Sequence, residues 1–193
     1  MIINVAAVLI SYLLGNISPS ILIGRLYGVD IKKEGSGNAG ATNALRVLGK
    51  KAAAVTLIID ISKGVAAVLL GGYICGHDVA LVCGLAVFCG HIWPALFKFR
   101  GGKGVATALG VIMATVPLPG ACVLAFALLV IAASRRVSAG SIAAAIVFPF
   151  AATFYDHGLM IWSIAIAAIV LVKHRSNIKR IFKGEEPKLS FKK

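Results

Sequence analysis

Apolar runs long enough to cross a bilayer recur along this chain, and Lys and Arg fall almost entirely between them. A helix needs about 20 mostly apolar residues to cross the hydrocarbon core. Runs of that kind cover residues 2–24, 52–74 and 79–97. The 193 residues are 59% hydrophobic and only 14% charged, whereas soluble domains carry about a quarter charged. The pattern excludes an ordinary soluble domain. It predicts an all-α integral membrane protein, a single domain over residues 1–193.

A net charge of +13 would suit nucleic acid, but its placement argues otherwise. The cations sit at 25–51, 98–103, 135–136 and 173–193, with Lys63 alone between clusters. The turns Gly76-His77-Asp78, Pro117-Leu118-Pro119-Gly120 and Tyr155-Asp156-His157-Gly158 carry none. If clusters and turns alternate across a bilayer, every basic cluster lies on one face, and the positive-inside rule makes that face cytoplasmic. The expectation is a seven-helix transmembrane bundle, some spans short, with the N-terminus outside and the C-terminus cytoplasmic.

The segment 104–134 is the ambiguous one. Divided at Pro117–Gly120, each half is about 14 residues, roughly 21 Å at 1.5 Å per residue, short of a core of about 30 Å. Two short crossings and a re-entrant dip both fit, and five full spans is the alternative count. Further segments are expected at 139–154 and 157–172. Residues 1–26 read as a retained span and not a signal peptide. Cys75, Cys83, Cys89 and Cys122 have no metal-ligand spacing and read as small buried hydrophobes.

Polar residues collect in a few places. Asn16, Ser18, Pro19 and Ser20 lie in the first apolar run, where a proline kink and a polar cavity are both open readings. Asp60 and Lys63, three apart on a helix, share a face and can pair. Structural pairing and a substrate-facing role are both open for them. Gly35-Ser36-Gly37-Asn38-Ala39-Gly40-Ala41-Thr42-Asn43 is a glycine-rich loop with hydroxyl and amide groups, flanked by Lys32, Lys33 and Arg46. Such a backbone can turn consecutive N–H groups toward an anion. No Gly-Lys-Ser/Thr closes it as a Walker loop. A second loop, Phe99-Arg100-Gly101-Gly102-Lys103-Gly104-Val105-Ala106-Thr107, follows Gly90-His91-Ile92-Trp93-Pro94 and leads into an apolar segment. A lysine, backbone donors and the positive end of a helix are thereby placed together. His91 reads either as an acid/base group or as a satisfied interfacial histidine. Ser134–Ser141 forms a third polar stretch. In the tail, His174 and Asn177 would share a face if the helix continues.

These motifs, in this order and covering essentially the whole chain, resemble the PlsY family of bacterial membrane glycerol-3-phosphate acyltransferases. Two positions depart from the family pattern: Ala39 stands where Pro is common, and Arg100 where Lys is common. The resemblance implies transfer of a fatty acyl group from acyl phosphate to the 1-hydroxyl of sn-glycerol 3-phosphate. Lysophosphatidic acid and inorganic phosphate would be the products, in the first step of bacterial phospholipid synthesis. It implies no cofactor and no metal, a plasma (inner) membrane location with the active site at the cytoplasmic face, and a monomer embedded in membrane lipid. No nucleic acid partner is expected, and a functional link to the soluble enzyme that forms acyl phosphate is.

By matching motif positions, Ser36, Gly37, Asn38, Gly40, Thr42, Gly102 and Lys103 are expected to bind acyl phosphate. Arg46, Lys103, Ser141, His174 and Asn177 are expected to bind glycerol 3-phosphate. Lys103, Ser36 and Asn38 are the expected catalytic residues, and Asp60, Lys63 and His91 supporting ones. An acyl phosphate is already activated, so no enzyme nucleophile is required. His91, His174 and a substrate phosphate oxygen all remain open as proton acceptor. Two rival classes are weighed against this. A transporter for an organic phosphate would want its site near the midplane, usually with internal repeats, and no repeat is visible. A membrane scaffold would not require glycines and amides beside the charges.

Overall fold

The structure is a computed structural model that describes residues 1–189. All regular structure among them is helical. The chain forms two compact units, Met1–Thr115 and Val116 onward, where the sequence suggests one domain.

The first unit begins with α1 (Ile2–Asn16) and α2 (Pro19–Leu26). The expected single span breaks at Ile17 and Ser18, both of extended backbone. The cause is Pro19, which lacks an N–H and disfavours helix in the residue before it. Then come the short α3 (Ala41–Val47), the long α4 (Lys50–Cys75), α5 (His77–Ile92) and α6 (Val105–Thr115). Helix α4 carries Thr56, Asp60, Lys63, Gly64, Ala67 and Gly71 on its buried stripe, while Leu57, Ile58, Leu69 and Leu70 are exposed. Polar groups inside and large apolar side chains outside is the arrangement that hydrocarbon surroundings select.

Close helix contacts are made at glycines. A Cβ on Gly15 would stand 2.3 Å from Val87 O and one on Gly90 2.2 Å from Tyr12 O, so α1 and α5 touch backbone to backbone. Helices α4 and α6 do the same, with a Gly64 Cβ 2.4 Å from Thr107 O and a Gly110 Cβ 2.1 Å from Ile61 O. Small residues permit this approach where no hydrophobic force drives helices together.

The second unit holds α7 (Pro117–Ser134), α8 (Val137–Tyr155), α9 (Met160–Lys173) and α10 (Arg175–Phe182). Phe148 of α8 and Trp162 of α9 meet edge to face, 5.9 Å between centroids. The Pro117–Gly120 stretch is not a connection. Pro117 opens α7 in its first turn, where its missing N–H costs nothing. The two halves of 104–134 are therefore unequal: α6 has 11 residues and α7 has 18. At roughly 16 Å, α6 falls short of a hydrocarbon core of about 30 Å. Five helical stretches are long and apolar enough to span, and a sixth counts if α9 and α10, bent by 60°, form one. Cysteines 75, 83, 89 and 122 are free thiols, and Cys122 is exposed on α7 instead of buried as expected.

The α4–α6 contact gives a direct test. Gly110→Ala drives a methyl group into the Ile61 carbonyl and is expected to cost about 1–3 kcal/mol, read as a lower unfolding temperature in detergent. An unchanged transition would show that α4 and α6 do not pack at this distance.

Candidate functional site

The first glycine loop is shaped from within. The Asn43 side chain, 1% exposed, accepts from Ser36 N at 2.8 Å and donates to Ile31 O at 3.1 Å and Glu34 O at 3.0 Å. One amide thus closes the curl between Ile31 and α3. Gly37 sits at φ +66° with Lys32 O 2.9 Å from where its Cβ would be, so a side chain there is strained on both counts. Ser36 is exposed, Gly37, Asn38, Gly40 and Thr42 are half-buried, and Arg46 is exposed in the last turn of α3.

The second loop begins where α5 ends. Pro94 follows the terminal Trp93, and the chain turns through Lys98 and Phe99, both with positive φ. The Arg25 guanidinium lies over the Phe97 ring at 5.2 Å. Gly101 N donates to Ile92 O and Gly102 N to His91 O, each at 3.2 Å. Those two N–H groups are therefore committed to the end of α5, and what Gly102 supplies is room. A Cβ on it would stand 2.3 Å from both Ala39 O and His91 Nε2. The Lys32 ammonium adds a second tie, donating to Arg100 O and Gly101 O. So the two glycine loops, about sixty positions apart in sequence, are in contact in the structure, at Ala39–Gly102 and at Lys32. The half-buried Lys103 comes next, and Gly104 at φ +81° feeds α6, whose first turn closes with Ala108 N on Gly104 O at 2.7 Å.

Beneath this turn lies a charged cluster. Lys63 Nζ is 2.7 Å from Asp60 Oδ1, with both side chains 2% exposed. The approach is not an aligned hydrogen bond, so the contact is Coulombic. The same ammonium donates to Gly15 O at 3.1 Å and Ile17 O at 2.6 Å, the carbonyls left open by the break after α1. It also lies 2.9 Å from His91 Nδ1, which is 3.2 Å from Asp60 Oδ1. His91 is thus buried and engaged.

In the second unit, the helix expected to run on through His174 and Asn177 bends there. Lys173 ends α9, His174 stands at the bend with ψ near zero, and α10 starts at Arg175. His174 Nδ1 lies 2.8 Å from Val170 O; a carbonyl only accepts, so Nδ1 carries the proton. Ser141 is buried in the first turns of α8 and donates to Val137 O at 3.0 Å. The residue that organises this end is Glu186. Its Oε1 accepts from Ser138 Oγ and Asn177 Nδ2, each at 2.6 Å, and its Oε2 from Arg180 Nε at 2.7 Å. Its backbone carbonyl accepts from Arg136 Nε at 2.9 Å, and Leu189 N donates to Arg135 O at 2.6 Å. The tail after α10 is thereby strapped to the start of α8.

Glu186 does not stand out from sequence as a site residue; the one signal is an acidic pair in an otherwise basic tail. Asn43 is legible as one of the loop's polar side chains, but its bonds go to the loop's own backbone. Among the described residues, no group of three or more His, Cys, Asp or Glu is placed to hold a metal ion.

Burial pushes the Glu186 carboxyl upward, but hydrogen bonds from Ser138, Asn177 and Arg180, with the Arg180 charge, outweigh it and hold the group below its ordinary value. A carboxyl lowered on folding adds stability above its unfolded pKa and loses it as pH falls through the folded one. Glu186→Gln is expected to remove that acid-side dependence from unfolding curves in detergent. Glu186→Ala is expected to cost about 1–3 kcal/mol, because Ser138 and Asn177 lose a buried acceptor. Curves that match the unsubstituted protein in both variants would show that the strap does not form.

The comparisons with known proteins agree with this architecture. The family model for glycerol-3-phosphate acyltransferase matches residues 5–184. A glycerol-3-phosphate acyltransferase from Thermoanaerobacter pseudethanolicus is 46% identical over 191 residues, covering 97% of this chain and 96% of the relative. One from Trichlorobacter lovleyi is 47% identical over 182 residues, covering 92% and 93%. The crystal structure of PlsY (YgiH), an integral membrane glycerol 3-phosphate acyltransferase in its glycerol 3-phosphate form, superposes with a TM-score of 0.93. Its identity is 37%, over 97% of this chain and 96% of that one. The lysophosphatidic acid form gives 0.88 at the same identity and coverage. The chain is therefore a membrane acyltransferase and belongs to the glycerol-3-phosphate acyltransferase family, of the PlsY type.

Proposed function

We propose that this enzyme transfers a fatty acyl group from acyl phosphate to the 1-hydroxyl of sn-glycerol 3-phosphate, giving lysophosphatidic acid and inorganic phosphate. The observation that carries the reading is the meeting of the two glycine loops at Ala39 and Gly102, directly before Lys103. A curled backbone with Ser36, Gly37, Asn38, Gly40 and Thr42 then faces the donor phosphate. The lysine beside it offsets charge that grows on the carbonyl oxygen and the leaving phosphate. By the family resemblance, Arg46, Lys103, Ser141, His174 and Asn177 are assigned to the phosphate of the acceptor.

The step balances without an enzyme nucleophile. The glycerol oxygen forms the new ester bond to the acyl carbon, and the bond from that carbon to the phosphate oxygen breaks. The hydroxyl proton passes to a substrate phosphate oxygen. Positioning and charge stabilisation carry the catalysis. The acyl chain remains among lipids while both phosphates meet the protein at the cytoplasmic face. Orientation follows the charge pattern, with the N-terminus outside and the C-terminus inside. The short α6 is the seventh helical segment in that count. The location is the plasma (inner) membrane, the protein a monomer, and the supplier of its donor a soluble enzyme that makes acyl phosphate.

Purified protein given palmitoyl phosphate and glycerol 3-phosphate is expected to release phosphate and form lysophosphatidic acid in step. Donor-independent or acceptor-independent turnover would overturn the proposal. Lys103→Ala is expected to lower kcat by about 10²–10³ or more while the protein stays folded. Gly37→Ala is expected to raise the KM for acyl phosphate, because a Cβ there meets Lys32 O; an unchanged KM would exclude Gly37 from the donor site.

A further inference from the structure

His91 lies between two parts of the first unit, the ion pair of α4 and the turn before Lys103. Its carbonyl accepts the Gly102 N–H, and that of its neighbour Ile92 the Gly101 N–H. Its ring, 4% exposed, has Nδ1 against the Asp60–Lys63 pair of α4 and Nε2 against the bare Cα face of Gly102.

Satisfying the buried pair accounts for only one edge of the imidazole. An ammonium has three protons. Lys63 already faces Gly15 O, Ile17 O and the Asp60 carboxylate at 3.1, 2.6 and 2.7 Å. Because the Asp60 contact is not an aligned hydrogen bond, His91 Nδ1 at 2.9 Å accepts the hydrogen bond of the third proton. The far edge meets the turn, where Nε2 and Ala39 O flank Gly102, a position with no room for a side chain. The ring is a spacer of fixed length between an ion pair anchored in three helices and the turn that carries Lys103.

We propose that His91, held in place by Asp60 and Lys63, is a positioning residue that sets the Gly101-Gly102-Lys103 turn and so aims the Lys103 ammonium, without itself exchanging a proton with substrate. The proposal rests on the assignment of Lys103 to the reaction.

Two variants at the same position separate positioning from simple support. In His91→Asn the amide can still meet Lys63 at the level of Nδ1 but stops short of Gly102, whereas in His91→Gln it reaches the turn. For folded His91→Asn, kcat is expected to fall about ten- to a hundredfold, as a displacement on the order of 1 Å would produce. The KM for palmitoyl phosphate and for glycerol 3-phosphate should stay within about twofold. His91→Gln should recover part of the lost kcat. A wild-type kcat in folded His91→Asn would overturn the proposal, as would a loss confined to KM or equal losses in Asn and Gln. Should His91→Asn fail to fold, Gly102→Ala replaces it, since its Cβ enters the gap between Nε2 and Ala39 O outside the spans. A kcat-selective loss there supports the proposal and an unaltered kcat overturns it. Lys103→Ala, assayed in parallel, separates the two layers: turnover in that variant removes the Lys103 assignment itself, whereas its inactivity beside a normal His91→Asn removes only the role of His91.

Discussion

A backbone carbonyl in hydrocarbon has no water to turn to, and the first unit is arranged around one place where that problem arises. The break before Pro19 leaves Gly15 and Ile17 carbonyls facing inward. The Lys63 ammonium closes on both. A cation so deep requires an anion, which Asp60 supplies from one turn away on the same helix. Taking two charges out of water is costly, and pairing alone often fails to offset it. Here the pair also terminates a broken helix and abuts the residue that ends another, so one costly feature fastens α1, α4 and α5 at a single point.

From that point outward the loops are built from ordinary local rules. Asn43 replaces a set of backbone bonds that the curl from Ile31 to α3 cannot make for itself. Gly102 removes the side chain that would keep the two loops apart, and Lys32 ties them a second time through carbonyls. These groups hold the loops to one another and to themselves. That arrangement suits the proposed reaction, in which an already activated donor would leave the protein to hold phosphates and offset charge.

The apolar runs, the basic clusters and the glycine loops were legible in the sequence because each reports a single physical demand: burial in lipid, retention on one face, a backbone free to curl. Pairing of Asp60 with Lys63 was legible for the same reason, as helical spacing fixes it. The unequal division of 104–134 was hidden because proline stops one helix and starts another with equal ease, and only the fold shows that Pro117 starts α7. The bend at His174 left no breaker in the sequence to read. The partners of Glu186 and His91 lie up to 50 positions away, and no periodicity spans such a distance.

The strap at Glu186 also imposes an order on biosynthesis. Ser138 and Arg136 enter the nascent chain long before residue 186 does, and Asn177 and Arg180 shortly before. Until the ribosome reaches that glutamate, the hydroxyl, the amide and two guanidinium groups have no carboxylate or carbonyl of its to meet. Insertion of α7, α8 and α9 can therefore precede the fastening of their basic end. A message cut short before codon 186 would yield the helices without the knot that joins them.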